Sequence, residues 1–298
     1  MTHHDHSHGE RRGRNLLISI LLNMGITLAQ FIGGILSGSL SLLSDAGHNL
    51  SDVLSMMLGY AGEKISRQGP SKQFTFGLKR FEVLIAVINS LSLLVIGGLI
   101  VYEAVERYLH PPEVDTNIMI PVALVGLAGN LFSIILLAAH REDNLNLKAA
   151  FLHLFYDTLS SVAVVASGII IRFTGWNMAD LVASLVIVLM IAWSSLGILR
   201  TAFRIFLQGT PPHLDVDEIY DKLVHHPGVI DVHGLHVWSI NSQEVFLSCH
   251  IVLQENAPVN RYLLELNELL KEKFSIDHSA LQIETGSFCD EQDVLCQK

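Results

Sequence analysis

The chain has 298 residues, half of them hydrophobic and only 16% charged, with a mean hydropathy of +0.43. That composition excludes an ordinary soluble domain as the whole molecule and puts membrane-spanning helices first. The net charge of −10 is one-sided: residues 1–208 set 14 Lys/Arg against 14 Asp/Glu, whereas 209–298 set 5 against 15, which speaks against nucleic acid as a partner because phosphate binding needs a basic face.

The chain begins MTHHDHSHGERRGR, a polar tract carrying His3, His4, His6 and His8. Such a tract gathers metal weakly or is simply a solvated end. The apolar run after it is too long for a signal-peptide core, so it reads as a retained helix. Six stretches reach the roughly 20 apolar residues that a helix needs to cross about 30 Å of hydrocarbon. They are Leu16 to Leu36, Leu40 to Gly62, Val83 to Tyr102, Asn117 to Ala139, Ala149 to Ile171 and Leu181 to Leu199. Arg11, Arg12, Arg14, Lys64, Arg67, Lys72, Lys79, Arg80, Arg141, Lys148, Arg200 and Arg204 flank these spans on one side, against little more than Arg107 and Arg172 on the other. Both termini are therefore expected in the cytosol.

Two spans break their own rule. LLSDAGHNLSD places Asp45, His48 and Asp52 in the second, and HLFYD places His153 and Asp157 in the fifth. Each ionisable group at a bilayer centre costs about 2.5–3.5 kcal/mol on insertion scales. His48 and Asp52 stand four apart, as do His153 and Asp157, so each pair stacks on one helix face. Brought together, the pairs offer two imidazole nitrogens and two carboxylate oxygens. Four N/O donors suit tetrahedral zinc and suit calcium or magnesium poorly; other imidazole-binding metals remain open. One HxxxD pair is as readily a structural hydrogen bond, but two copies in separate spans favour a shared ion. Asp45 is read as an access or accessory residue, lining an entry route or sitting near the headgroups, with direct ligation of the ion the lesser alternative.

Past QGTPPHLDVDEI the pattern changes. A helix is expected near Asp215, strands over VIDVHGLHVWSI and EVFLSCHIVL with a turn at Asn241 to Gln243, a helix over VNRYLLELNELLKEKF and a last strand at SALQIE. That order, α-β-β-α-β, predicts a small ferredoxin- or metallochaperone-like α/β domain with its helices on one face of the sheet. The expected divisions are 1–14 as a His-rich tail, 15–208 as a six-helix transmembrane domain, 209–288 as the α/β domain and 289–298 as a C-terminal tail. Cys249, Cys289 and Cys296 form no disulfide framework and fit a reducing compartment. The spacing of the last two is too wide for a metal clip.

The paired HxxxD sites, the six spans, the α/β tail and FGLKRFEVLIAVIN, with Arg80, Glu82 and Asn89, together resemble the cation diffusion facilitator family over nearly the whole chain. The resemblance implies a metal-ion/proton antiporter of the zinc-exporting branch. Such a protein is a homodimer in a lipid bilayer, here a bacterial inner membrane, with zinc as cargo and regulatory ion and other divalent transition metals as further candidates. His48, Asp52, His153 and Asp157 then match the transport site position by position. His233, His250 and Glu284, with His236 nearby, match metal-binding positions of the cytosolic domain that stabilise the dimer, while Gln282 stands where some relatives have a His. Two rivals differ in class. An intramembrane metallohydrolase is expected to show HExxH, which the chain lacks. A zinc-gated channel or sensor would carry a flux indifferent to the pH gradient.

Overall fold

Glycine, serine and proline stand at several of the helix breaks in the apolar half of the chain, among them Gly38, Ser39, Pro111 and Gly175. A computed structural model describes residues 23–66, 69–138 and 145–285, with the side chains of 55–56, 58–66, 136–138 and 145–153 outside the described set. The helices in chain order are α1 (23–37), α2 (Leu40–Ser66), α3 (Phe81–Leu109), α4 (Thr116–Ala138), α5 (Leu145–Thr174) and α6 (Met178–Phe206). Among the described residues, four helices are long and apolar enough to cross a membrane: α3, α4 over Thr116–Ile135, α5 over Leu154–Thr174, and α6. The expected spans at 16–36 and 40–62 coincide with α1 and α2, which are described in part.

The polarity of this helical unit is inverted relative to a soluble protein. Val95, Leu99, Phe173, Leu189 and Trp193 face outward, while Gln30, Asp45, Ser90, Asp157, Ser160, Ser161 and Asp180 are buried. Lipid accepts the apolar coat, and polar groups survive inside only with partners. α1 ends where Gly38 adopts φ +68°, a conformation open to glycine because it lacks Cβ. α2 then starts under a double cap. Ser39 Oγ accepts from the Leu42 amide at 3.1 Å, and Asp180 of α6 accepts from the Leu40 and Ser41 amides at 2.6 and 3.3 Å. Both hydroxyls, Ser39 and Ser41, also donate to Asp180 at 2.6 Å. The first three orphan N–H groups of α2 are thus satisfied by acceptors that the helix dipole favours.

The chain divides into two compact units, one of Met1–Lys64 with Ile85–Ile198, the other of Ile65–Leu84 with Leu199–Lys298. In the second, α7 (Val216–Val224), β1 (Val229–Ser239), β2 (Val245–Leu253), α8 (Val259–Phe274) and β3 (His278–Thr285) follow the expected α-β-β-α-β order. Asp215 caps α7 by accepting from the Asp217 amide at 2.9 Å. The sheet runs β1-β2-β3, with β1 antiparallel and β3 parallel to β2. Alternation along β2 sends Leu247, Cys249, Ile251 and Leu253 into a core with Ile219 and Leu223 of α7 and Leu266 and Leu270 of α8. The opposite face carries His250 of β2 with Gln282 and Glu284 of β3. Burial pushes the Cys249 thiol up to about 12, so it behaves as a small apolar core residue.

Candidate metal centres

α2 and α5 lie side by side in the helical unit, and their ionisable side chains meet. His48 Nε2 is 3.0 Å from Asp157 Oδ1 and 3.7 Å from Asp52 Oδ2. His48, Asp52 and Asp157 each offer a donor atom, and these atoms all lie within 4.8 Å of one another. The Asp157 side chain is 6% exposed, which leaves a carboxylate in low dielectric that only a cation or a proton neutralises cheaply. His153 lies in α5 one turn before Asp157; its side chain is outside the described residues. A cavity of about 230 Å³ opens beside Asp52 and Asp157, lined by Asn23, Thr27, Asn49, Asn130 and Ser133 among others. Polar lining inside a bundle admits water, and with it ions.

Asp45 is not part of that cluster. Its Oδ1 accepts from Ser160 Oγ at 2.6 Å, and its Oδ2 accepts from Gln30 Nε2 at 2.7 Å and Ser161 Oγ at 3.2 Å. With three protein donors it lies one turn away from His48, turned toward α1 and α5. Asn49 extends the network by donating to Gln30 Oε1 at 2.8 Å, and Ser51 ties α2 to α3 by donating to Asn89 at 2.7 Å.

On the face of the small sheet opposite the helices, β1 brings His233 opposite His250 of β2. Their rings are 5.0 Å apart between centroids. His250 Nδ1 is 2.6 Å from Glu284 Oε1, and His233 Nε2 is 3.5 Å from Glu284 Oε2. These three residues also hold donor atoms within 4.8 Å of one another. His233 Nε2 and Glu284 Oε2 are buried and have no hydrogen-bond partner among the described residues. Two such orphans facing each other suit a bound ion better than they suit a bare protein interior. Gln282 Nε2 donates to Glu284 Oε1 at 3.0 Å, which orients that carboxylate.

His236 is not brought into this cluster. One extra β1 residue sits between the His233–His250 and His236–Ser248 pairs, at Gly234 with φ +59°. The bulge keeps both histidines on one face, but His236 falls a row further along the strand and is exposed. His3, His4, His6 and His8, like Cys289 and Cys296, lie outside the described residues.

Two polar residues escaped the reading of the sequence. Asn130 of α4 donates to the Asp157 carbonyl at 3.1 Å and to Ser161 Oγ at 3.0 Å. Asp180 caps α2 across 140 residues of chain. The available signal was a mid-span amide in one case and a carboxylate at the edge of an otherwise charge-free span in the other.

Residues 16–207 match the Cation efflux transmembrane domain, and residues 211–286 match the Cation efflux protein, cytoplasmic domain. A cadmium, cobalt and zinc/H(+)-K(+) antiporter of Bacillus velezensis is 37% identical, covering 99% of this chain and 96% of that protein. The metal cation efflux system protein CzcD of Cupriavidus metallidurans is 35% identical over 97% of this chain and 92% of its own length. The zinc transporter ZitB of Escherichia coli is 34% identical over 94% and 92%.

Proposed function

This chain belongs to the cation efflux, or cation diffusion facilitator, family of metal transporters, and we propose that it exports zinc from the cytosol in exchange for protons. The observation that carries this reading is the convergence of His48, Asp52 and Asp157, from two helices, beside a polar-lined cavity. His153, on the same face of α5 as Asp157, completes four N/O ligands. Two carboxylates and two neutral imidazoles balance the charge of one Zn2+ cargo ion, and the donor set fits its tetrahedral preference. Protons compete for the same lone pairs, so protonation from the far side discharges the ion and deprotonation on the cytosolic side rebuilds the site. Rocking of helices about the site gives alternating access.

In the same proposal α1 to α6 are six spans, both termini are cytosolic, and the membrane is the bacterial inner membrane. The divisions are 1–14, 15–208, 209–288 and 289–298. Two copies pair through the α/β domain. There His233, His250 and Glu284 would hold a regulatory zinc, which supplies positive charge to a buried carboxylate and ties β1, β2 and β3 together.

The test is transport in liposomes with a zinc-sensitive dye inside and an imposed pH gradient. Zinc uptake that follows the gradient, with opposing proton flow, is expected for the wild type and is expected to vanish in Asp157→Ala and His153→Ala. Uptake indifferent to the gradient would make the protein a channel, and full flux in both variants would remove the site.

A further inference from the structure

Asp45 is a fully buried carboxylate whose cost the transport site does not explain. It is 1% exposed and holds three neutral donors drawn from α1 and α5. Its contacts close a ring. Ser160 Oγ lies 2.6 Å from Asp45 Oδ1 and 2.8 Å from the Asp157 carbonyl. Asn130 Nδ2 donates to that same carbonyl and to Ser161 Oγ, and Ser161 Oγ donates back to Asp45 Oδ2. Ser160 has one hydrogen for two acceptors, so the continuous path from Asp45 to the Asp157 carbonyl runs through Ser161, which donates to Asp45, and through the Asn130 amide, which gives one hydrogen to Ser161 and one to the carbonyl.

We propose that Asp45 is a positioning residue that sets the separation between the α2 and α5 halves of the metal site, and thereby its preference for a small ion over a larger one. The inference rests on the transport reading above. Asp45 is one turn from His48 on α2, and the ring reaches the backbone of Asp157 itself, so a shift in the ring moves one half of the site against the other. Charge-assisted hydrogen bonds to hydroxyls are short and directional, which makes this tie stiffer than a contact between apolar side chains. Ligands held at a fixed distance discriminate by ion size, since affinity order alone does not select zinc. Asp45 touches neither cargo nor proton in this role.

The experiment uses the full chain in liposomes, with initial zinc and cadmium uptake followed against concentration. Asp45→Ala and Ser160→Ala are expected to raise the half-saturating zinc concentration about tenfold, to narrow the zinc-to-cadmium ratio, and to leave the maximal rate nearly unchanged. Asp45→Asn, which keeps an acceptor for Ser160, is expected to recover part of both effects. An equal fall in maximal rate for both metals, at unchanged half-saturation and ratio, would make Asp45 a folding residue only and overturn the proposal. Should Asp45→Ala not fold, Ser160→Ala and Ser161→Ala decide by the same readouts. A wild type that carries neither metal sinks the transport reading; an active wild type with Ser160→Ala and Asp45→Asn matching it in ratio and half-saturation sinks this proposal alone.

Discussion

His233 and His236 share a face of one strand yet have different fates, and the difference is a single row of the sheet. His233 is buried against His250 and Glu284, whereas His236 stands exposed opposite Ser248. Neighbouring rows on one face are about 7 Å apart, too far for both imidazoles to share an ion with Glu284. His250→Ala and Glu284→Ala should therefore weaken tail zinc binding by tenfold or more, while His236→Ala should leave it near the wild-type value. Zinc titration of the detergent-solubilised chain in an Asp52→Ala, Asp157→Ala background, with His3, His4, His6 and His8 also replaced by alanine, reads the tail site alone. Equal losses from His236→Ala and His250→Ala would contradict the assignment.

At the scale of elements, α2 is the piece most in need of outside support. It carries Asp45, His48 and Asp52 among the packed helices, where ionisable groups are costly, and its N-terminus is buried within the helical unit. Asp180 answers for that terminus by binding the Leu40 and Ser41 amides and two serine hydroxyls. Asp180→Ala removes a cap and a favourable charge at the dipole together, and should cost about 2 kcal/mol or more. A lowered midpoint of thermal unfolding in detergent is the expected result, with zinc affinity of the remaining folded protein little changed. The α4 cap is a milder case: Asp115 accepts from the Asn117 amide at 2.9 Å on an exposed face, so Asp115→Ala should cost about 1 kcal/mol.

At the scale of the molecule, the segment from Ile65 to Leu84 belongs with the tail unit rather than with the helices it joins. Phe76 packs edge-on against Phe246 at 5.6 Å, Ser242 donates to Glu82 at 2.8 Å, and Lys79 pairs with Glu244. Lys79 and Glu244 keep 29% and 35% of their side-chain surface in solvent, so a double-mutant cycle should return a coupling below about 1 kcal/mol. The core of the tail should behave differently. With its thiol pushed up to about 12 from the ordinary 9.0 by burial, Cys249 favours the folded state below pH 9, and that contribution is lost as the pH rises from 9 through about 12. In a Cys289→Ser, Cys296→Ser background, a maleimide at pH 8 should label Cys249 only after denaturant is added; rapid labelling of the native protein would mean the tail core is open.

Much of this architecture is legible in the amino-acid sequence. Apolar run lengths marked the helices because a span must satisfy its own backbone in lipid, and alternation with Pro, Asp and Gly punctuation marked the α-β-β-α-β tail. The HxxxD spacing alone placed His48 beside Asp52, since a helix repeats its faces every three to four residues whatever surrounds it. Which face met which was decided only by tertiary packing. The meeting of His48 with Asp157, the caps that Asp180 gives to α2, the ring through Asp45, Ser160, Asn130 and Ser161, and the separation of His236 from its neighbours join residues from separate elements. Local periodicity carries no information about such partners, because they are chosen by the need of each buried polar group to find a donor or acceptor somewhere in the folded chain.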